Sequence, residues 1–81
     1  MNTEIMVIKI GSRRNTAIEV QQVFTKFGCS IKTRLGLHEA GDVCSDEGIL
    51  ILQLTGEINE IRSLEAALNK MSDVKAKLVE L

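Results

Sequence analysis

The amino-acid sequence predicts an α+β domain: a four-stranded antiparallel sheet with two helices on one face. Three observations carry that expectation. The stretches Ile5-Met6-Val7-Ile8-Lys9-Ile10 and Ile49-Leu50-Ile51-Leu52-Gln53-Leu54 are apolar on nearly every residue, as strands covered on both faces are. Two other stretches repeat apolar residues at helical spacing, and two more alternate apolar with polar residues, which marks strands with one buried face. Between them there is no proline and no low-complexity tract, so residues 1–81 are expected to form a single domain.

Taken in order, strand 1 ends at Gly11-Ser12-Arg13-Arg14-Asn15, a stretch with turn and capping chemistry. Ala17, Val20, Val23, Phe24 and Phe27 then recur at helical spacing up to Gly28, which is read as the stop just past helix 1. Cys29, Ile31, Thr33, Leu35 and Leu37 alternate with Ser30, Lys32, Arg34, Gly36 and His38, giving strand 2, a candidate edge strand. The polar segment Glu39 to Glu47 reads as a loop. Strand 3 follows, and Thr55-Gly56-Glu57 leads into the stripe Ile58, Ile61, Leu64, Leu68 and Met71 of helix 2, with Glu57, Glu60 and Glu65 on its solvated side. Val74, Ala76 and Leu78, alternating with Lys75, Lys77 and Val79, form strand 4.

The order βαββαβ is that of the ferredoxin-like sandwich, whose right-handed crossovers put strands 1 and 3 at the centre of the sheet and strands 2 and 4 at its edges. The two strands that are apolar throughout are the two this topology makes central. If Lys9 and Gln53 point away from the helices, then Ile5, Val7, Ile49 and Ile51 share the helix-free face, and Met6, Ile8, Ile10, Leu50, Leu52 and Leu54 fill the core. Val79 joins the exposed set, and Lys32, Arg34, His38, Lys75 and Lys77 are expected at its rim. Leaving such side chains in water forgoes about 1.5–3 kcal/mol each. The face is therefore read as an interface with a second copy of the chain, in a dimer or a tetramer.

Composition narrows the function. The formal net charge is −1, which argues against a chain built to neutralise phosphates. The only aromatics, Phe24 and Phe27, lie on the helix 1 stripe, so the sheet has nothing on which bases could stack, and direct nucleic-acid binding is not expected. No apolar run approaches the roughly 20 residues that span a bilayer, and no basic flank precedes the first strand as in a signal peptide. A soluble cytoplasmic protein is expected, with Cys29 and Cys44 as free thiols. The single histidine, His38, stands at no spacing that implies a catalytic triad, and a non-catalytic role follows. His38 and Cys44 are candidate metal ligands, imidazole and thiolate suiting zinc, nickel or copper. The residues specify no cofactor.

Several segments together resemble a known family. They are Ser12-Arg13-Arg14-Asn15 after strand 1, Val20-Gln21-Gln22-Val23 with Lys26-Phe27-Gly28, Ile31-Lys32-Thr33-Arg34-Leu35-Gly36-Leu37, Gly48-Ile49-Leu50 and Asp73-Val74-Lys75. They are similar to the small ACT-like proteins of the iron-only hydrogenase system regulator family, which resemble the regulatory domain of the nickel-responsive repressor. The resemblance implies a regulatory module, acting in transcriptional control of a hydrogenase system, that assembles through its sheets and senses a small ligand or metal between subunits. By this likeness Gly11 and Ser12, in the turn after strand 1, and Arg34 and Gly36 on strand 2 are candidate ligand-binding residues. His38 and Cys44 match the repressor's second histidine and its cysteine, while Gly36 stands where the first histidine would be, leaving the nickel set incomplete. Met1 to Thr3 is too short for the repressor's DNA-binding domain, so any regulation is expected to work through a partner or a ligand. The alternative is an assembly module that docks a partner protein and binds no ligand.

Overall fold

A computed structural model of the chain describes residues 3–11, 13–37 and 48–81. Its elements are β1 (Glu4–Ile10), α1 (Arg13–Lys26), β2 (Ile31–Leu37), β3 (Gly48–Leu54), α2 (Ile58–Asn69) and β4 (Val74–Glu80), with a single 3₁₀ turn at Gly28–Ser30 between α1 and β2. The sheet order is β2-β3-β1-β4, every pairing antiparallel. The expected βαββαβ architecture is thus the observed one, with β1 and β3 central. Glu39 to Glu47 falls outside the described residues, as do Ser12, His38 and Cys44.

Side-chain parity organises the core. Met6, Ile8 and Leu52 have no exposed surface, and Ile10 and Leu54 are buried beside them. They meet Val20, Phe24 and Phe27 of the α1 stripe and Ile61, Leu64 and Leu68 of α2 in one cluster, with Leu50, Ala76 and Leu78 packed at its margin. The termini of the sheet are tied together: the Thr3 N–H donates to the Leu81 carbonyl at 3.1 Å, and the Leu81 N–H donates to the Thr3 carbonyl at 2.8 Å.

Local structure departs from expectation in two places. Gly28 stands just past the end of α1, as expected, but Cys29 and Ser30, expected in strand 2, lie with it in the 3₁₀ turn; among the described residues only Gly56, at φ 93°, has a positive φ, the conformation that favours glycine. After Lys26 the chain instead tightens into the 3₁₀ turn, which buries Ser30 and lets its carbonyl accept the Thr55 N–H at 2.8 Å.

The second departure is in β2. Its register with β3 shifts between Ile31 and Thr33: Ile31 stands opposite Leu54, whereas Thr33 stands opposite Gln53 and Leu35 opposite Ile51. Lys32 is thereby the extra residue of a β-bulge, and a bulge reverses the facing of every residue beyond it. Simple alternation would bury Leu35 with Ile31 and turn Arg34 to the helix-free side. In the structure Leu35 is on the helix-free side and 52% exposed. Arg34 lies on the helix side, its guanidinium 5.0 Å from the Phe24 ring centre and donating to Gln21 Oε1 at 2.9 Å.

Candidate functional site

The helix-free face of the sheet is the surface on which the sequence and the structure converge. The registers lay it out in rows across the strands: Leu35, Ile51, Val7 and Lys77 form one row, and Thr33, Gln53, Ile5 and Val79 the next. On the other side of the first row, Ile49 stands beside Lys9, which pairs with Lys75. The expected interface residues Ile5, Val7, Ile49, Ile51 and Val79 therefore lie on one face. Val7 is 40% and Ile49 43% exposed, while Ile5, Ile51 and Val79 are half-buried by their neighbours.

The apolar field is off-centre. It spreads from β2 across β3 to β1, and the opposite corner holds Lys9, Lys75 and Lys77. Within the four strands no acid shares the face: Glu4 and Glu80 have the parity of Met6 and Leu78, and Glu80 lies 3.5 Å from Arg62 of α2. Lys9 and Lys75 are directly cross-strand, an arrangement in which like charges repel. Lys75 and Lys77 fall where the rim is expected; Arg34 does not, because of the bulge.

The candidate ligand residues are spread along the sheet. Gly11 leaves β1 with its N–H donating to the Asp73 carbonyl at 2.7 Å. Gly36 lies on β2 opposite Leu50, where an added Cβ would approach Leu50 Cδ2 to 3.3 Å, so glycine there spares a crowded contact on the helix side. By strand geometry Arg34 lies about 17 Å along the sheet from the level of Gly11 and two strands, about 10 Å, across it. Gly11, Arg34 and Gly36 do not converge within one subunit. A cleft of about 360 Å³ with Glu4, Lys32 and Gln53 in its lining holds none of them.

Two functional-looking contacts were not foreseen. Glu65, expected on the solvated side of α2, accepts the Leu78 N–H at 2.7 Å. Asn69 forms a two-way bridge to Ala76, its Nδ2 donating to the carbonyl at 2.9 Å and its Oδ1 accepting the N–H at 2.8 Å. The spacing of Glu65 and Asn69, one helical turn apart, places them on one flank of α2, but only the tertiary arrangement aims that flank at β4. Among the described residues no group of three or more His, Cys, Asp and Glu is placed to hold a metal. None of the described helices is long and apolar enough to cross a membrane.

Comparison with known proteins yields fold likeness. No family model matches the chain, and no curated protein matches it. Among solved structures, an uncharacterized protein of Thermotoga maritima superposes with a TM-score of 0.84 at 23% identity, covering 100% of this chain and 99% of its own. The ACT domain of GTP pyrophosphokinase from Chlorobium tepidum gives 0.71 at 16% identity, over 95% of this chain and 96% of that one. A candidate PII-like signaling protein of Thermus thermophilus gives 0.66 at 11% identity, over 100% and 88%. The fold is therefore ACT-like and ferredoxin-like, and at these identities the likeness extends to fold alone.

Proposed function

We propose that the chain is a non-catalytic, ACT-like regulatory module of the cytoplasm that assembles with copies of itself through the helix-free sheet face and senses a small ligand or divalent metal where subunits meet. The observation that carries the reading is the exposed aliphatic field of Val7, Leu35 and Ile49 on a sheet whose other face is already covered by both helices. Covering such a field against a second sheet removes apolar surface from water at about 25 cal/mol per Å². A ligand site built from Gly11 and Ser12 at the exit of β1 and from Arg34 and Gly36 on β2 needs two subunits, because one subunit holds these strands too far apart. His38 and Cys44 are the proposed metal donors, and control of an iron-only hydrogenase system is the proposed setting. The ACT domain of a pyrophosphokinase among the structural neighbours supports a regulatory reading by analogy of fold.

The test is native mass spectrometry of untagged protein, with thermal denaturation against single amino acids and divalent metals. A dimer or tetramer is expected, with one compound raising the melting temperature; saturation at 100 times Kd adds about 2.7 kcal/mol. A monomer that no compound stabilises would refute the reading. A second reading, a docking module for a partner protein, is favoured by Lys9, Lys75 and Lys77, which share their face with no acid of the four strands. An acidic partner surface would satisfy them, and binding that weakens steeply with salt would distinguish it from self-association through the aliphatic field.

A further inference from the structure

Three departures from regular backbone gather at the end of the sheet opposite Gly11: the 3₁₀ turn at Gly28–Ser30, the bulge at Lys32 and the positive φ of Gly56. The hydrogen bond from the Thr55 N–H to the Ser30 carbonyl ties the first of these to the last. Bulges concentrate beside sites where a side chain must be re-aimed. Here Lys32 and Gly56 border the cleft of about 360 Å³, together with Thr3, Glu4, Gln53 and Thr55. That volume falls at the small end of the range typical of small-molecule sites. By strand rise the cleft lies about 23 Å along the sheet from Gly11.

Parity sorts the lining. Thr3 exchanges two backbone hydrogen bonds with Leu81, which continues the β1–β4 ladder by one residue, and Thr55 directly follows Leu54. The alternation of β1 and β3 therefore gives Thr3, Gln53 and Thr55 the facing of Ile5, on the helix-free side, and gives Glu4 the facing of Met6. Thr3 and Thr55 stand across from each other as the next pair of the β1–β3 register, with Gln53 two residues along. Lys32 bounds the cleft on the β2 side. Among the described residues the side chains of Thr3, Lys32, Gln53 and Thr55 make no hydrogen bond with one another, and Lys32 makes no ion pair with Glu4.

This lining constrains what could fill it. Lys32 offers a single compact positive charge, which matches one carboxylate and leaves a dianion half neutralised. Glu4 repels any second negative charge. The threonine hydroxyls and the Gln53 carboxamide each donate and accept, as the hydroxyl groups of a ligand require. The only aromatics of the chain, Phe24 and Phe27, are buried in the core, so a flat ring would find nothing to stack on. We infer that the cleft binds a small aliphatic hydroxy acid of single negative charge, its carboxylate at the Lys32 ammonium and its hydroxyls among Thr3, Gln53 and Thr55. Charge-assisted hydrogen bonds from Lys32 are the strongest contacts of such a complex. The site lies within one subunit, and neither Gly11, Arg34 nor Gly36 lines it, so it goes beyond the ligand site proposed at the subunit junction.

The test is a titration of isotope-labelled protein with D-gluconate, followed by amide resonances. Those of Lys32, Thr55 and Gly56 are expected to shift saturably while that of Gly11 stays in place. Lys32→Gln should weaken binding about tenfold or more, whereas Lys70→Gln, at the far end of α2, should leave it unchanged. Sorbitol, which lacks the charge, and glucarate, which carries two, should each bind about tenfold more weakly than gluconate or worse. Thr55→Val provides a second variant: it should weaken gluconate but not hexanoate, a carboxylate without hydroxyls. Absence of any shift, shifts centred on Gly11, undiminished binding by Lys32→Gln, or glucarate binding as tightly as gluconate would overturn the assignment. Because the site needs no second copy, a protein that proves monomeric would refute the junction proposal and leave this test intact.

Discussion

The helix-side and open faces of β1 and β3 are built from the same residue types but have different surroundings. Met6, Ile8 and Leu52 point under the helices and are wholly buried, whereas Val7, between the first two on β1, and Ile49, three residues before the third on β3, keep two-fifths of their surface in water. The two helices and one side of the sheet account for the first set. The second set is only partly covered within a single subunit, and that remaining exposure is what the proposed assembly would remove. The lysine corner adds a limit: two sheets that met face to face with Lys9, Lys75 and Lys77 at the centre would bury like charges without partners, at a cost of several kcal/mol per ion. A sheet-to-sheet contact must therefore be centred toward β2 and β3, with the lysines left at its rim.

The contrast between the faces can be broken by substitution. The largest effect is expected on the helix side: Leu52→Ala should lower folding stability by about 2–5 kcal/mol, read from urea denaturation, because the site is walled by both helices. On the open side, Ile51→Lys should leave the folding of dilute protein little changed while weakening self-association about tenfold or more, equivalent to about 1.4 kcal/mol, read by sedimentation velocity. Equal destabilisation by the two substitutions would abolish the distinction between fold residues and assembly residues. The smallest effect is expected at the lysine corner. Lys75→Glu replaces a cross-strand repulsion with Lys9 by an attraction and should raise stability by about 0.2–1 kcal/mol at low salt, an effect that should shrink as salt is added.

Much of this was legible in the sequence. Lys9 and Gln53 fix the parity of the central strands, because a single polar residue inside an aliphatic run says which side faces away from the core. The helical stripes marked the buried faces of α1 and α2 nearly residue by residue, Val20, Phe24, Phe27, Ile61, Leu64 and Leu68 among them. What periodicity could not convey was the bulge at Lys32, since an inserted residue leaves the alternation of the letters intact while reversing the sides they occupy. Arg34 and Leu35 exchanged faces for that reason. Glu65 and Asn69 were illegible for another: polar residues on a helix flank read as solvated until the neighbouring strand edge is in place. Among the candidate ligand residues, the predicted strand order already set β3 between Gly11 and the pair Arg34 and Gly36; what it did not convey was how far apart along the sheet they lie.

The extra residue in β2 works as a parity switch. Removing one residue between Ile31 and Thr33 would roll Leu35 beneath α1 and swing Arg34 to the open side, exchanging oil for charge on the surface where subunits are proposed to meet. Chains of this fold that differ by a single gap at that point would then present unlike surfaces to their neighbours, even with every other amino acid retained.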